Sequence, residues 1–368
     1  MDATLEGILR AAVDAGASDV HLKPGAPVVF RVARDLVAVE APVPNEDWIR
    51  SVLADIVPAH LRDRLARRLE ADFAFAVAGL GRFRINVFLQ RGQMAVALRL
   101  VKTALNAFRE LNLPDAVRGI AEAPRGIVII AGAIGSGKST TLAAMIEHVN
   151  VTRRRHIITL EDPIEYLFDD KQSVIEQREI GLDTESYGSG LRHVLRQDPD
   201  VIVIGEMRDA ESADAAMSAA NIGHLVLTTL HTSDAMKSVQ RVVEFFPAEE
   251  RDYARQLFAS TLHAVLCQRL VSSATGGVLP AVEILINNSA AAQAISASRV
   301  EKLPGIMELG IGEGMQTFDH ALVQLVKAGR ISREEAIAHA GNPDQLRMIF
   351  QGVVLSETHR ILGARGER

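Results

Sequence analysis

The stretch GAIGSGKS, Gly132 to Ser139, follows the apolar run Ile127-Val128-Ile129-Ile130 and precedes a helical repeat of Leu142, Met145, Ile146 and Val149. Strand, glycine loop and helix in that order make a phosphate-binding P-loop, so the chain is expected to bind ATP or GTP. The loop needs glycines because its backbone must curl until several N–H groups point at one phosphate, at the positive end of the following helix. Lys138 is placed to reach the β- and γ-phosphates, and Ser139 to offer a hydroxyl to a phosphate-bound Mg2+. Gly132, Ala133, Ile134, Gly135, Ser136, Gly137, Lys138, Ser139 and Thr140 are therefore the expected nucleotide-binding residues. These residue types at this spacing arise by chance in roughly one chain in a hundred of this length, and the flanking strand and helix make chance rarer still.

With 368 residues, 48% of them hydrophobic, the chain can bury two cores, since single domains seldom grow past about 250 to 300 residues. A formal net charge of -6 leaves no global basic field for wrapping nucleic acid, and 4% aromatic content leaves few platforms for stacking bases. The lone cysteine, Cys267, excludes an internal disulfide and any multi-cysteine zinc site, and its apolar neighbours place it in a core. A reducing cytosol fits this composition. No apolar run approaches the ~18 to 20 residues of a membrane span, and the start MDATLEGILRAA lacks the features of a signal peptide. The expectation is a cytoplasmic protein that reaches a membrane only through a partner.

Leu5, Ile8, Leu9, Ala12 and Val13 share one helical face near the N-terminus, and Trp48, Val52, Leu53 and Ile56 share another. Short strand-like runs at Asp19 to Leu22, Val28 to Val32 and Phe83 to Leu89 complete a small α+β domain expected over residues 1–101. Lys102 to Pro114 carries no strong pattern and is read as an interdomain hinge. Over residues 115–368, strands first alternate with helices as a doubly wound parallel sheet requires. Helices are expected from about residue 250. There Tyr253, Leu257, Phe258, Thr261, Leu262, Val265 and Leu266 hold one stripe, and Phe318, Ala321, Leu322, Leu325 and Val326 another. Ser332 with Glu335 reads as a capping box.

Three further motifs sit where a P-loop nucleoside triphosphatase needs them. The apolar strand His156 to Leu160 ends in Glu161, Asp162 and Pro163, so the chain leaves the sheet as it presents two carboxylates. Ligands of parallel sheets bind beyond the carboxyl ends of the strands, where a carboxylate can orient or deprotonate the attacking water. A solvated acidic turn with a helix cap is the competing reading of the same residues. In DPDVIVIGEMRD, Asp198 to Asp209, the run Val201 to Ile204 leads to Gly205 and Glu206, placing a carboxylate for the Mg2+ shell. Arg208 reads either as a phosphate contact or as an ion-pair partner of Asp209 or Glu211. In GHLVLTTLHTSDA, Gly223 to Ala235, His224 precedes a strand and His231 follows it. Seven residues apart at period two, the rings face opposite ways and are poorly placed to share a metal. His231, at the carboxyl end, is placed to sense a γ-phosphate. Alone it would read more readily as a satisfied surface or core residue, and the neighbouring motifs reverse that.

Together these segments resemble one family, the type IV pilus retraction ATPases (the PilT/PilU twitching-motility family) of the secretion ATPase superfamily. ASDVHL (Ala17 to Leu22) and GRFRINVF (Gly81 to Phe88) resemble that family's PAS-like N-terminal domain. GAIGSGKSTTLAAM, ITLEDPIEY, RQDPDVIVIGEMRD and GHLVLTTLHTSDA resemble its P-loop, acidic box, Walker B and histidine box. GMQTFDHAL (Gly314 to Leu322) is similar to its C-terminal helical region. The resemblance implies an α/β fold in which a RecA-like P-loop motor domain follows a smaller α+β domain and carries C-terminal helices. It also implies a Mg2+-dependent ATPase assembled as a homo-hexamer, with each ATP between the two domains of a subunit and completed by a neighbour. On that likeness Glu161 acts on water and Glu206 on Mg2+ through water, while Arg84 and Arg99, followed by Arg82, reach phosphates. The implied work is pilus retraction at the inner membrane, transmitted to a platform protein.

One segment departs from the family pattern. Members typically carry AIRNLIRE after the strand that here ends in Glu283-Ile284-Leu285, whereas this chain has NNSAAAQAISASR, Asn287 to Arg299. In the family that segment is tied to retraction, so its change moves the reading toward the accessory, PilU-like branch, working with a second retraction ATPase. The absent four-cysteine zinc element argues against the pilus-assembly and type II secretion ATPases. Two readings from other classes stay open. One is a nucleic-acid motor of similar build, opposed by the acidic balance. The other is a non-motor ring adaptor that only binds ATP.

Overall fold

Alternation of side chains decides which face of each N-terminal strand is buried. Phe83, Ile85 and Val87 are buried, and Arg82, Arg84 and Asn86 between them take the other face. The computed structural model describes residues 2–33, 35–103 and 108–351. Its first unit comprises Met1–Thr103 with Glu165–Leu167, and its second Ala104–Ile164 with Phe168–Arg368.

In the first unit, Asp19–Leu22 (β1), Val29–Val32 (β2), Asp35–Ala38 (β3), Glu70–Val77 (β4), Gly81–Gln90 (β5) and Gln93–Leu100 (β6) form one sheet. Its order is β3-β2-β1-β6-β5-β4, and every pair is antiparallel. The helices Ala3–Asp14 and Glu46–Ile56 bring Leu5, Leu9, Ile49, Val52 and Leu53 into one core with Phe83, Ile85, Val87 and Leu98. The expected helices and three of these strands are present, while β3, β4, β6 and the helix Ala59–Arg68 add to that reading. Of the expected hinge, Lys102–Thr103 (β7) is a strand that pairs in parallel with Tyr166–Leu167, β10 in chain order. Residues 104–107 lie outside the described residues, and Phe108–Leu111 is helical.

The second unit is built on Gly126–Ala131 (β8), His156–Glu161 (β9), Val174–Glu179 (β11), Val201–Ile204 (β12), Leu225–Leu230 (β13), Leu262–Ser272 (β14) and Val278–Ile286 (β15). The sheet order is β11-β9-β12-β13-β8-β14-β15, parallel throughout except for the antiparallel β15. A parallel sheet covered on both faces demands continuous apolar strands, and every residue of β8 is buried. Ile127, Ile129 and Ala131 join a core with Met217 and Phe258, while Val128 and Ile130 join another with Met145, Ile146 and Val149.

One expectation fails. The helical stripe read through Leu266 stops with the helix Arg251–Thr261, because Leu262 onward is β14, paired to β8 on one side and β15 on the other. A strand buried on both faces and a buried helix present similar apolar runs, so periodicity alone does not separate them. Helices dominate after β15, including Ser289–Ser296, Phe318–Lys327 and Arg333–His339. Ser332 caps the last of these through Glu335 N, whereas the Glu335 carboxylate accepts from Ser272 N at 2.6 Å. Only half of the expected capping box is therefore seen. No helix among the described residues is long and apolar enough to cross a membrane.

Candidate nucleotide-binding site

The loop after β8 is shaped by what a side chain would hit. Gly132 sits at φ +152° and Gly137 at φ +89°, a region costly for other residues. A Cβ on Gly132 would lie 2.4 Å from Ser136 Oγ and 2.6 Å from the Gln268 carbonyl oxygen. On Gly137 it would lie 2.7 Å from Gln268 Nε2. Gln268 is almost completely buried on β14. Its Nε2 donates to the Ser136 carbonyl at 2.8 Å, and its Oε1 accepts from Thr141 Oγ1 at 2.7 Å. Ser136 and Lys138 are buried, Ser139 and Thr140 half-buried, and Ala133, Ile134 and Gly135 exposed at the tip. The loop ends at the N-terminus of the helix Lys138–Thr152, where the positive end of the helix dipole favours an anion.

Because β8, β9, β12 and β13 run parallel, their carboxyl ends deliver the remaining candidates to one edge of the sheet. Lys138 Nζ donates to the carbonyls of Gly132 (2.9 Å) and Ala133 (3.0 Å) and stands 3.3 Å from His231 Nδ1. His231 Nε2 is 3.3 Å from Glu206 Oε1. A neutral imidazole protonated at Nε2 satisfies both contacts. Arg208 Nε donates to Glu206 Oε2 at 2.8 Å, and its Nη1 reaches Asp162 Oδ2 at 3.3 Å. The hydrogen bond it donates to Glu206 raises the guanidinium's already high pKa.

The expected partners of Arg208 are thus corrected: Asp209 caps the helix Ala210–Asn221 and Glu211 pairs with Arg192. Glu161 closes β9, and a Cβ on Gly205 would lie 3.3 Å from its Cα, so the acidic box and the Glu206 strand end are neighbours. Glu161 Oε1 accepts from Thr159 Oγ1 at 2.6 Å and from Gln177 Nε2 at 3.2 Å. Tyr187 stands over Gly205, where a Cβ would be 3.2 Å from its hydroxyl oxygen. Burial, and then the Asp162 carboxylate, push that phenol's pKa well up.

The structure thereby brings Lys138, His231 and Glu206 into one run of contacts, extended by Arg208 to Asp162. His224 lies at the amino end of β13, away from this edge. Arg84 and Arg99 belong to the first unit, where they are register partners across β5 and β6. Arg99 Nε donates to Asp19 Oδ1 at 2.7 Å, and Arg84 Nη2 is 4.0 Å from Asp72 Oδ1. With Asn86 these groups line a hollow of about 290 Å3. Although burial opposes it, hydrogen bonds from Ser18 and Arg99 hold the Asp19 carboxyl below the usual range. Arg82 lies on the same face of β5 as Arg84. Sequence reasoning missed Gln268, Gln177, Thr159 and Tyr187. The one available signal was a glutamine inside the apolar run of β14.

A family profile described as Type II/IV secretion system protein matches residues 1–345. The chain belongs to that family. Among relatives, the type IV pilus retraction ATPase PilT of Pseudomonas aeruginosa is 39% identical over 329 residues, covering 89% of this chain and 96% of that protein. The type IV pilus ATPase PilU of the same organism is also 39% identical, over 94% of this chain and 91% of its own length. The crystal structure of the pilus retraction motor PilT with bound ADP superposes with a TM-score of 0.86 at 38% identity, covering 94% of this chain and 99% of the other. Membership in the secretion family and this superposition bear out the α/β fold read from the sequence, with its smaller N-terminal domain and C-terminal helices.

Proposed function

We propose that this member of the secretion family is an ATP-hydrolysing motor for type IV pilus retraction, acting as a homo-hexamer. The observation that carries the reading is the contiguous run from the P-loop lysine through His231 to Glu206, built at the carboxyl edge of a parallel sheet. The relatives' names supply the mechanical task.

In this reading ATP is the substrate, and N–H groups of the loop, those of Gly135, Gly137 and Lys138, hold its phosphates with Lys138 as the balancing cation. Glu161, its Oε1 fixed by Thr159 and Gln177, orients the attacking water and takes its proton as the bond to the γ-phosphorus forms and the bond to the ADP oxygen breaks. His231 stands beside Lys138, where a γ-phosphate's charge would be felt. The Ser139 hydroxyl and the Glu206 carboxylate are hard oxygen donors of the kind Mg2+ takes, and bound there Mg2+ would offset phosphate charge. Arg84 and Arg99, followed by Arg82, are the N-terminal phosphate contacts. In this reading the domain motion that hydrolysis drives reaches a membrane platform protein from the cytoplasmic side.

Deletion of the gene followed by microscopy of surface filaments tests the proposal. Hyperfilamented, non-motile cells are expected; bald cells would indicate an assembly motor instead. A second reading, an accessory motor acting with another retraction ATPase, is favoured by Asn287 to Arg299, where a helix of small residues, Ser289–Ser296, stands in place of the family segment. Purified chain whose ATP turnover appears only in mixture with a retraction ATPase would select it.

A further inference from the structure

Gln268 stands 132 residues after Ser136 in sequence, yet it is the side chain on which the phosphate loop rests. Its place follows from register: Cys267 pairs with Ala131 across β14 and β8, so the next residue on β14 lies beside Gly132. Leu266, two residues before it and on the same face, packs in the core with Leu142 and Met145 of the helix Lys138–Thr152. The side chain at 268 therefore meets the start of that helix, and there a fully apolar residue would leave loop groups without partners. Gln268 satisfies them with both ends of its amide, donating to the Ser136 carbonyl and accepting from Thr141 Oγ1.

The bond to Ser136 also has a directional consequence. The peptide joining Ser136 to Gly137 is planar and trans, so its N–H points opposite to its C=O. With the carbonyl drawn toward the Gln268 amide on β14, the Gly137 N–H is turned the opposite way, away from that amide. We propose that Gln268 is a positioning residue for the nucleotide phosphates, aiming the Gly137 N–H by holding the Ser136 carbonyl. The proposal rests on the nucleotide reading of the loop and adds to it a residue from outside every motif.

The test uses the full-length chain, ADP as the probe, and the variants Gln268→Met and Thr141→Val/Gln268→Met. Gln268→Met is expected to weaken ADP binding about tenfold and to raise the KM for ATP similarly, leaving kcat within about threefold. It also leaves the Thr141 hydroxyl unpaired, lowering thermal stability. The double variant removes that hydroxyl, leaving only the Ser136 carbonyl without its donor, so its melting temperature should recover in part while ADP affinity stays weak, which a merely structural role would not produce. Should Gln268→Met fail to fold, the double variant carries the same affinity test. Wild-type binding together with a Gln268→Met affinity within twofold of it, or affinity recovering in step with stability in the double variant, would overturn this proposal alone. A wild-type chain that binds no ADP would overturn the nucleotide reading and this proposal with it.

Discussion

The phosphate loop and the carboxylate edge of the same site are held in opposite ways. On the loop side, Ser136, Lys138 and Gln268 are 7%, 8% and 4% exposed, and backbone conformation with one buried amide fixes the geometry. On the carboxylate side, Arg208, Asp162 and His231 have side chains 51%, 43% and 44% exposed, joined by the ion pairs of Arg208 with Asp162 and Glu206 and by the imidazole's contact with Glu206. Exposed pairs of this kind contribute about 0 to 1 kcal/mol each, so they can be exchanged as ligands come and go. A preorganised loop suits tight phosphate binding, and an exchangeable edge suits a cycle in which bound charge changes. Binding defects should accordingly come from the first region and turnover defects from the second.

The largest effect expected is from Lys138→Ala, which removes the loop's cation. ATP turnover should fall to background, and calorimetry should show ADP affinity reduced by about 100-fold or more. Glu161→Ala sharpens the contrast from the other side. Single-turnover assays should show hydrolysis slowed by about 100-fold or more, while equilibrium binding of ATP stays within about threefold of wild type. Wild-type turnover in that variant would remove Glu161 from the mechanism. The smallest effect belongs to Arg208→Ala, which breaks two exposed ion pairs. Steady-state kcat should drop by less than about tenfold, and a loss near that of Lys138→Ala would make Arg208 a phosphate contact instead of a clamp on Glu206.

How far each region was legible in the sequence follows the same divide. The P-loop was readable because glycines, lysine and serine are required by geometry within eight consecutive residues, and the strand ends because buried parallel strands are short apolar runs followed by charge. The partners of those residues were not readable. Arg208 bonds Asp162, 46 residues away, instead of its sequence neighbours Asp209 and Glu211, because pairing of β9 with β12 sets the acidic box beside Gly205. Gln268 was hidden in a segment read as helix. Leu262, Val265 and Leu266 fit a helical stripe as well as they fit a strand covered on both faces, and only pairing with β8 and β15 decides between the two. In the first unit, β5 declared itself by strict alternation. The fully exposed β3 offered no buried face to read.

The most direct measurement is a crystal structure of the chain with a non-hydrolysable ATP analogue. The account predicts phosphate oxygens within hydrogen-bonding distance of the Gly135, Gly137 and Lys138 N–H groups and of Lys138 Nζ, with Glu161, Glu206 and His231 grouped around the terminal phosphate. An analogue bound elsewhere, or phosphates in that loop with those three side chains turned away from them, would contradict it.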